Sequence, residues 1–182
     1  ILEKLKKVQN KLRKIPDLDK IAKGIIIPED IQKIDIEDLL GRDAVKPDPY
    51  LLRSCIDNKN VMITGCGGSI GSSLAKLIIT LNPKSLILVE RSEFFLYEIL
   101  NELNTIRNQM KLDLKIESYQ GSVEDKDFIT SIFNVNKIDT VYHAAANKHV
   151  PLVEKNPVDA IKTNIFGTFL LAEMSYKNNI DN

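Results

Sequence analysis

The eleven residues 61–71 constrain this chain most, because they join an extended run to a dense set of glycines. The run reads Val-Met-Ile-Thr-Gly-Cys-Gly-Gly-Ser-Ile-Gly. β-Favouring residues lead into Thr64, and apolar residues at helical spacing follow between Ser72 and Leu81. The order of strand, glycine-rich turn and helix predicts a corner at which a helix N-terminus can bind phosphate.

Three glycines have distinct roles in this predicted corner. Gly65 allows the tight turn, Gly68 lets a diphosphate approach the backbone, and Gly71 lets the helix pack closely on the strand. The helix N-terminus adds unpaired N–H groups and a partial positive charge. The pattern therefore predicts dinucleotide binding. The alternative is a glycine-rich turn without a ligand.

From Val61 onward, candidate strands and helices alternate, with turn signals between them. We predict strands at 61–64, 85–89, 114–119 and 140–144, and helices at about 70–81, 93–109, 127–133 and 157–176. In the second of these helices we expect a sheet-facing stripe made of Phe94, Leu96, Tyr97, Leu100, Leu103 and Ile106. Apolar strands alternating with helices predict an α/β fold with a doubly wound parallel sheet.

The residues before this region predict a separate lead-in. Residues 1–15 carry apolar side chains at helical spacing among lysines. We expect a helix that packs on a neighbouring domain; a membrane-surface helix is the alternative. A proline-broken stretch follows, with a short strand or turn at 34–42. We divide the chain into a helical lead-in and linker at 1–57 and a cofactor-binding domain at 58–182.

Composition excludes several classes of protein. Lys+Arg and Asp+Glu both number 25, so the chain has no overall basic field that would attract nucleic acid. The two cysteines, Cys55 and Cys66, are too few for a disulfide framework and lack metal-ligand spacing, so we expect a reducing compartment and no metal. We expect Cys66 to be a small residue tolerated in the turn rather than a reactive thiol.

No apolar run is long enough to span a bilayer. Because the chain begins at Ile1 rather than Met, we expect a piece of a longer protein. We expect this piece to be cytoplasmic. Any membrane anchor would lie upstream, which would put the full-length protein on the cytoplasmic face of the inner membrane.

The residues after the second strand bear on the choice of cofactor. Glu90 lies at the distance from the glycine turn at which a carboxylate binds ribose hydroxyls and repels a 2′-phosphate, which favours NAD. Arg91 with Ser92 could instead hold that phosphate and select NADP, so this alternative stays open. A solvated surface charge is the third interpretation of Arg91.

The loops after the third and fourth strands complete the predicted site. Ser122 and Val123 are placed to border an adenine, and Ala144–Ala146 leave room for a cofactor to pass over the backbone. Small residues needed only for packing are the alternative interpretation of the alanines. Lys148 can reach phosphate or ribose oxygens, or can be a plain surface lysine.

His143 lies at the end of the predicted fourth strand and His149 follows that strand, but neither has an acid–base partner nearby in the sequence. We expect His143 to be a hydrogen-bonded structural residue and His149 to anchor its loop.

Four motifs together resemble one family. They are TGCGGSIG at 64–71, ERSEF at 90–94, HAAANKHVPLVEKNP at 143–157 and TNIFGT at 163–168. The set is similar to the CapD-type nucleotide-sugar dehydratases of polysaccharide biosynthesis, in the extended short-chain dehydrogenase/reductase superfamily. The resemblance covers residues 34–176, since EDLLGR at 37–42 looks like the linker of the long, membrane-anchored members.

The resemblance implies a Rossmann domain of the extended type, truncated before the substrate-binding part. It implies conversion of a UDP-N-acetylhexosamine to its 4-keto-6-deoxy sugar with bound NAD, NADP being the alternative. Together with the spacing above, it gives the candidate cofactor-binding residues Gly65, Gly68, Ser69, Ile70, Gly71, Glu90, Arg91, Ser92, Ser122, Val123, Ala144, Ala145, Ala146, Lys148 and Asn164.

The resemblance also implies what the chain does not carry. The catalytic residues and most of the sugar pocket are expected beyond Asn182, so we expect no turnover by this chain alone. For the full-length protein we expect a UDP-sugar substrate and a homo-oligomer. A nucleotide-sugar epimerase on the same scaffold and a non-catalytic NAD(P)-binding module are the alternatives.

Two positions depart from the family pattern. Ser122 stands where Asp is usual, and Asn147 stands where an aromatic residue or leucine is frequent. The resemblance implies that the first weakens or changes the adenine contact and that the second alters what lies above the nicotinamide.

Overall fold

Four parallel strands form the sheet of the computed structural model, which describes residues 48–182. The strands are β1 (Asn60–Thr64), β2 (Ser85–Glu90), β3 (Lys115–Gln120) and β4 (Thr140–His143). Their order across the sheet is β3-β2-β1-β4. The α/β fold with a parallel sheet, predicted from the alternation of apolar runs, is confirmed.

Seven α-helices lie in this described part: α1 (Pro49–Ser54), α2 (Ser69–Ile78), α3 (Glu93–Gln109), α4 (Lys126–Val135), α5 (Val150–Lys155), α6 (Pro157–Ile161) and α7 (Thr168–Lys177). A short 3₁₀ turn, Ile79–Leu81, extends α2, and a π-helical segment, Lys162–Gly167, joins α6 to α7.

Alternate residues of the two central strands pack on opposite faces of the sheet. On one face, Val61 and Ile63 join the core that α2 and α3 cover. On the other, Met62 of β1 joins the core made with α4 and α7. Because both faces are covered, β1 is buried at every position, which fits the apolar run Val61–Ile63 at its centre.

The register brings the carboxyl ends of the strands to one edge of the sheet. Thr64 pairs with Val89 of β2 and with His143 of β4, and Glu90 pairs with Gln120 of β3. The loops after all four strands therefore meet at this edge, where parallel α/β sheets bind ligands.

Most predicted elements agree with the structure to within one or two residues, and the last helix differs most. The segment predicted as one helix at 157–176 consists of α6, the π-helical segment and α7. Helix α5, just before it, was not predicted. Its sequence shows no apolar periodicity, and none of its residues is buried.

The predicted sheet-facing stripe of α3 is partly wrong. Leu96, Ile99 and Leu103 are the buried residues of this helix. Phe94 and Tyr97 are 62% and 66% exposed. Phe94 is two residues before Leu96 and Tyr97 is one residue after it, so they lie about 200° and 100° away from it around an α-helix. The prediction counted too many of the apolar residues of the helix in one stripe.

The compact unit that contains the sheet begins at Asp48, ahead of the predicted boundary at residue 58. The Asp48 carboxylate caps α1 by accepting a hydrogen bond from the backbone N–H of Tyr50 at 2.8 Å. Ile56, placed in the lead-in by the sequence analysis, is 1% exposed and packs in the core. The helix at 1–15 and the strand or turn at 34–42 lie outside the described residues, and the separate lead-in stays a prediction.

We expect truncation of the buried and the exposed members of the predicted α3 stripe to have different effects. Leu103→Ala should lower the free energy of unfolding by about 2–5 kcal/mol, because it opens a cavity in the core. Tyr97→Ala should change it by less than about 0.5 kcal/mol. Urea unfolding of both variants checks this; equal losses would contradict the burial described here.

Candidate dinucleotide-binding site

The glycine turn joins β1 to α2 and is held against the neighbouring strands. Gly65 has φ +64°, which L side chains rarely adopt. A Cβ at this position would lie 2.6 Å from the backbone of Ala145, so the turn also needs glycine for close approach. The Gly65 N–H donates to the Val89 carbonyl at 2.8 Å. The turn therefore contacts both β2 and the segment after β4.

Gly71 and Gly68 are glycines for different reasons. A Cβ on Gly71 would overlap the carbonyl oxygen of Gly65, so a side chain there would push α2 off the turn. Gly68, the N-cap of α2, has ordinary dihedral angles, φ −70° and ψ 168°. A Cβ on Gly68 would meet only the Gly65 oxygen, at 3.4 Å, which is an ordinary contact. The fold therefore demands glycine at 71 but not at 68.

The backbone amides of the turn are largely used inside the protein. Those of Gly65 and Cys66 donate to the Val89 carbonyl, that of Gly67 donates to the Glu90 carboxylate, and that of Gly68 donates to the Gly65 carbonyl. The first three amides of α2, at Ser69, Ile70 and Gly71, are the ones that a helix start leaves without an intrahelical acceptor. Ser69 and Ile70 are exposed. Fewer backbone N–H groups are therefore left to bind a ligand than the turn contains.

Glu90 is fixed at the end of β2 by two backbone amides. Its Oε2 accepts from the Gly67 N–H and its Oε1 accepts from the Ser92 N–H, both at 3.1 Å. Ser92 itself caps α3, since its hydroxyl oxygen accepts from the Phe95 N–H at 3.4 Å. The carboxylate therefore lies beside the glycine turn.

Arg91 points its charge toward a different partner. Its guanidinium Nη1 lies 3.8 Å from Asp159 Oδ2, and both side chains are more than half exposed. Asp159 also accepts a hydrogen bond from the Asn147 side-chain amide at 2.8 Å. Asp159 was not singled out in the sequence. It links the residue after β2 to the segment after β4.

The loop after β3 is anchored to the core by the side chain of Val123. Val123 is 4% exposed, and its side chain packs in the core against Gly167, where a Cβ would come within 2.7 Å of it. Ser122 is half-buried, and its carbonyl accepts from the Asp125 N–H at 3.2 Å. Val123 can therefore offer a ligand its backbone rather than its side chain.

The segment after β4 begins in contact with the glycine turn and has no regular secondary structure. The Ala144 N–H donates to the Thr64 carbonyl at 3.0 Å. Ala144 and Ala145 are half-buried, whereas Ala146 and Lys148 are exposed. Ala145 packs against the core below the sheet edge, which fits the packing interpretation of the alanines. Their role in the passage of a cofactor stays a prediction.

Asn164 holds this segment with two hydrogen bonds. Its Oδ1 accepts from the Asn147 N–H at 2.8 Å, and its Nδ2 donates to the Asn147 carbonyl at 2.9 Å. The family resemblance placed Asn164 at the site, and the structure shows which backbone it binds. At Asn147, the departure from the family pattern, the side chain bonds Asp159 instead of providing an apolar cover.

Asn164 belongs to the π-helical segment, which ties several loops together. Thr163 donates to the Glu124 carboxylate at 2.8 Å, and Thr168 lies 2.9 Å from His143 Nε2. Residues five apart are separated by about 140° around an α-helix, but they come to one face in a π-turn with its i→i+5 bonds. Neither threonine nor the π-turn was predicted, because the apolar spacing of this stretch fits an α-helix.

His143 has the structural role that the sequence predicts, whereas the anchoring of its loop by His149 stays a prediction, because His149 makes no side-chain cap hydrogen bond at the start of α5. His143 lies between two hydroxyls, with Nδ1 2.6 Å from Thr64 Oγ1 and Nε2 2.9 Å from Thr168 Oγ1. Burial lowers the pKa of its imidazole below the ordinary value. The carbonyl of His149 accepts from the N–H groups of Leu152 and Val153 at the start of α5.

Cys66 is an inert thiol, as predicted. Its side chain is fully buried, and burial, with a contribution from the Glu90 charge, raises its pKa to about 12. A thiol with such a pKa carries almost no reactive thiolate near neutral pH.

Comparison with known proteins extends these observations. The chain is 37% identical over 170 residues to the capsular polysaccharide biosynthesis protein CapD of Staphylococcus aureus, a match that covers 93% of this chain and 28% of that protein. It is 31% identical over 125 residues to a UDP-N-acetylglucosamine 4,6-dehydratase (inverting) of Campylobacter jejuni, covering 68% of this chain and 34% of the dehydratase. The chain thus spans 28% and 34% of the length of these relatives.

A solved UDP-glucose 4-epimerase from Thermotoga maritima with UDP-glucose has the same fold. It matches with a TM-score of 0.56 and 28% identity, over 66% of this chain and 35% of the epimerase. The parallel sheet and its glycine turn are those of the extended short-chain dehydrogenases/reductases. The family described as polysaccharide biosynthesis protein matches residues 61–182, and the chain belongs to it.

Between Asp48 and Asn182, no helix is both long enough and apolar enough to cross a membrane.

We expect acid pH to destabilise the folded chain through His143. Because the folded-state pKa is lowered from 6.5, the unfolded chain takes up a proton first as the pH falls. The effect is therefore absent above pH 6.5, and stability is lost from there down through the lowered folded-state pKa. Urea unfolding at about pH 7.5 and about pH 5 measures it.

His143→Asn is the control, because it removes the titrating group and keeps a side-chain acceptor. The variant should be less stable at pH 7.5 but should lose less stability than the wild type on acidification. A loss of the same size in both proteins would contradict the role given to the imidazole.

Proposed function

We propose that this chain is the NAD-binding portion of a nucleotide-sugar 4,6-dehydratase that acts in the biosynthesis of capsule or other surface polysaccharide. Gly68 carries the proposal. Neither its dihedral angles nor its neighbours require glycine, and its missing side chain leaves open space at the start of α2. A diphosphate bound to the amides of Ser69 and Ile70 would use that space.

The sheet order supports an extended path for the cofactor. The end of β1 lies between β2 and β4, so a diphosphate there has one nucleoside on each side. On the β2–β3 side, Glu90 would bind the adenosine ribose, and Ser122 with the Val123 backbone would border the adenine. On the β4 side, Ala144–Ala146 and Lys148 would lie along the nicotinamide half.

Two observations favour NAD over NADP. The Glu90 carboxylate is held in place by the amides of Gly67 and Ser92, so it cannot easily turn away from a 2′-phosphate that it repels. The Arg91 guanidinium, the group that would attract such a phosphate, already lies near the Asp159 carboxylate. Being exposed, this ion pair is weak, and Glu90 carries most of the preference.

The proposed reaction follows from similarity to the Campylobacter jejuni dehydratase and to CapD. When bound, the nicotinamide would accept a hydride from the sugar and return it within one cycle. Residues 48–182 would bind and orient the cofactor; we assign none of them an acid–base role. The substrate would be a UDP-N-acetylhexosamine, and the protein would act in the cytoplasm, in line with its two free cysteines.

Similarity to the Thermotoga maritima epimerase favours a second candidate, a nucleotide-sugar 4-epimerase. The two reactions share the hydride transfer and differ in the elimination of water. Every residue of the described site serves both equally well.

We expect Gly68→Ala to weaken NAD⁺ binding with little effect on the fold. The added methyl group would fill the space assigned to the diphosphate, so the Kd for NAD⁺ should rise about ten-fold or more. Loss of a favourable N-cap should cost less than about 1 kcal/mol of stability. Isothermal titration with NAD⁺ and NADP⁺, together with urea unfolding, measures both effects.

Gly71→Ala is the matched control. Its methyl group collides with the Gly65 carbonyl, so it should lower the free energy of unfolding by about 2 kcal/mol or more.

The wild type should bind NAD⁺ more tightly than NADP⁺. Undiminished NAD⁺ binding by Gly68→Ala would contradict the assigned diphosphate site.

The reaction itself is tested with the full-length protein and UDP-N-acetylglucosamine. We expect a 4-keto-6-deoxy sugar, detected by mass spectrometry as the loss of one water, with no net consumption of NAD⁺. A product of unchanged mass but inverted C4 would establish the epimerase instead. No product with NAD⁺ still bound would favour a non-catalytic module.

A further inference from the structure

We propose that His143 is a positioning residue that, as the neutral Nε2–H tautomer, fixes Asn164 and through it the segment after β4. This inference rests on the proposed dinucleotide function, since that segment, residues 144–149, lies on the side assigned to the nicotinamide half. It gives His143 a role in cofactor geometry beyond stability of the strand.

The hydroxyl of Thr168 determines the direction of the first hydrogen bond. Thr168 Oγ1 donates its only proton to the Asn164 carbonyl at 2.8 Å, because a carbonyl can only accept. In its other contact, with His143 Nε2 at 2.9 Å, the same oxygen must therefore accept. His143 Nε2 thus carries a hydrogen and donates it to Thr168.

The second ring nitrogen follows from the first. A neutral imidazole protonated at Nε2 has a lone pair at Nδ1, which lies 2.6 Å from Thr64 Oγ1, so the threonine donates. Thr64 is fully buried. A proton on Nδ1 would reverse this bond and force the Thr64 hydroxyl proton toward another acceptor in the interior. The neutral Nε2–H form is the one that satisfies all three side chains.

These bonds join α7 to two strands that the sheet already pairs. Thr64 and His143 are partners in the β1–β4 pairing, and the contact between His143 and Thr168 links them to the start of α7. From Thr168 the connection continues to the Asn164 carbonyl, and the Asn164 side chain binds both backbone groups of Asn147. The segment after β4 has no helix or strand of its own, so this connection, together with the bond between Asn147 and Asp159, positions Asn147 and the adjacent Lys148.

The same bonds argue against a chemical role for the ring. Both nitrogens of His143 are engaged inside the protein, so no lone pair is free to remove a proton from a substrate. The residue acts through Asn164 and does not contact the reacting atoms.

Two pairs of variants test the inference. Thr168→Val removes the hydroxyl at nearly constant shape, and Thr168→Ser retains it; Thr168 is exposed, so neither should unfold the chain. His143→Asn retains an acceptor near the Nδ1 position but loses the donor to Thr168, whereas His143→Gln retains a donor near the Nε2 position. Isothermal titration compares NAD⁺ with ADP, which lacks the nicotinamide half.

We expect Thr168→Val and His143→Asn to raise the Kd for NAD⁺ about five-fold, the effect of losing one hydrogen bond. Their Kd for ADP should change by less than about two-fold. ADP would reach only the diphosphate site at the end of β1 and the adenosine site on the β2–β3 side. Thr168→Ser and His143→Gln should bind both ligands almost as the wild type does. A merely structural defect would weaken both ligands alike.

Equal weakening of NAD⁺ and ADP, or no change in either, would overturn the inference. Failure of the wild type to bind either ligand would overturn the proposed function as well, which separates the two failures. Nitrogen-15 spectra of the ring give a readout without ligand, since the chain has two histidines. We expect a protonated Nε2 and an unprotonated Nδ1 for His143. A mixture of the two tautomers would contradict the assignment.

Discussion

The contact between the glycine turn and the first residues of α2 is the constraint on which the rest of the site depends. The Gly65 carbonyl lies so close to Gly71 that a methyl group cannot enter between them. This closeness places the helix start directly at the end of β1, next to β2 and β4. If the helix moved away, its free amides would no longer share one edge with Glu90 and the segment after β4, and the candidate site would have no centre.

Around that centre, hydrogen bonds of polar side chains hold the loops in place, as strand pairing and helical bonds hold the residues elsewhere in the fold. Glu90 joins the end of β2 to the glycine turn, Thr163 joins the π-helical segment to the loop after β3, and Asn164 joins it to the segment after β4. Each bond spans residues far apart in the chain. The loops are therefore positioned by tertiary contacts, and the π-helical segment is where most of these contacts converge.

The features that the sequence predicts depend on neighbouring residues, whereas most of those that it misses depend on residues far apart in the chain. The strands, the glycine turn and α3 were predicted because hydrophobic periodicity and glycine spacing are local. The π-turn was not, because the apolar spacing of its stretch fits an ordinary α-helix. Phe94 and Tyr97 were assigned to the wrong surface, since the prediction grouped too many apolar residues of α3 in one stripe although helical spacing separates these two from Leu96. Asp159 has no local signal, because its partners Arg91 and Asn147 come together only in the folded chain.

Glu90 shows how little this edge of the sheet would have to change to receive a sugar ring. A carboxylate has about four lone-pair sites, and the amides of Gly67 and Ser92 occupy two of them. If the proposed ribose binds here, the remaining two sites would accept from its vicinal hydroxyls without breaking either existing bond. Such a carboxylate would be pre-organised, because the entropy that an adaptable side chain would lose on binding would already have been lost during folding.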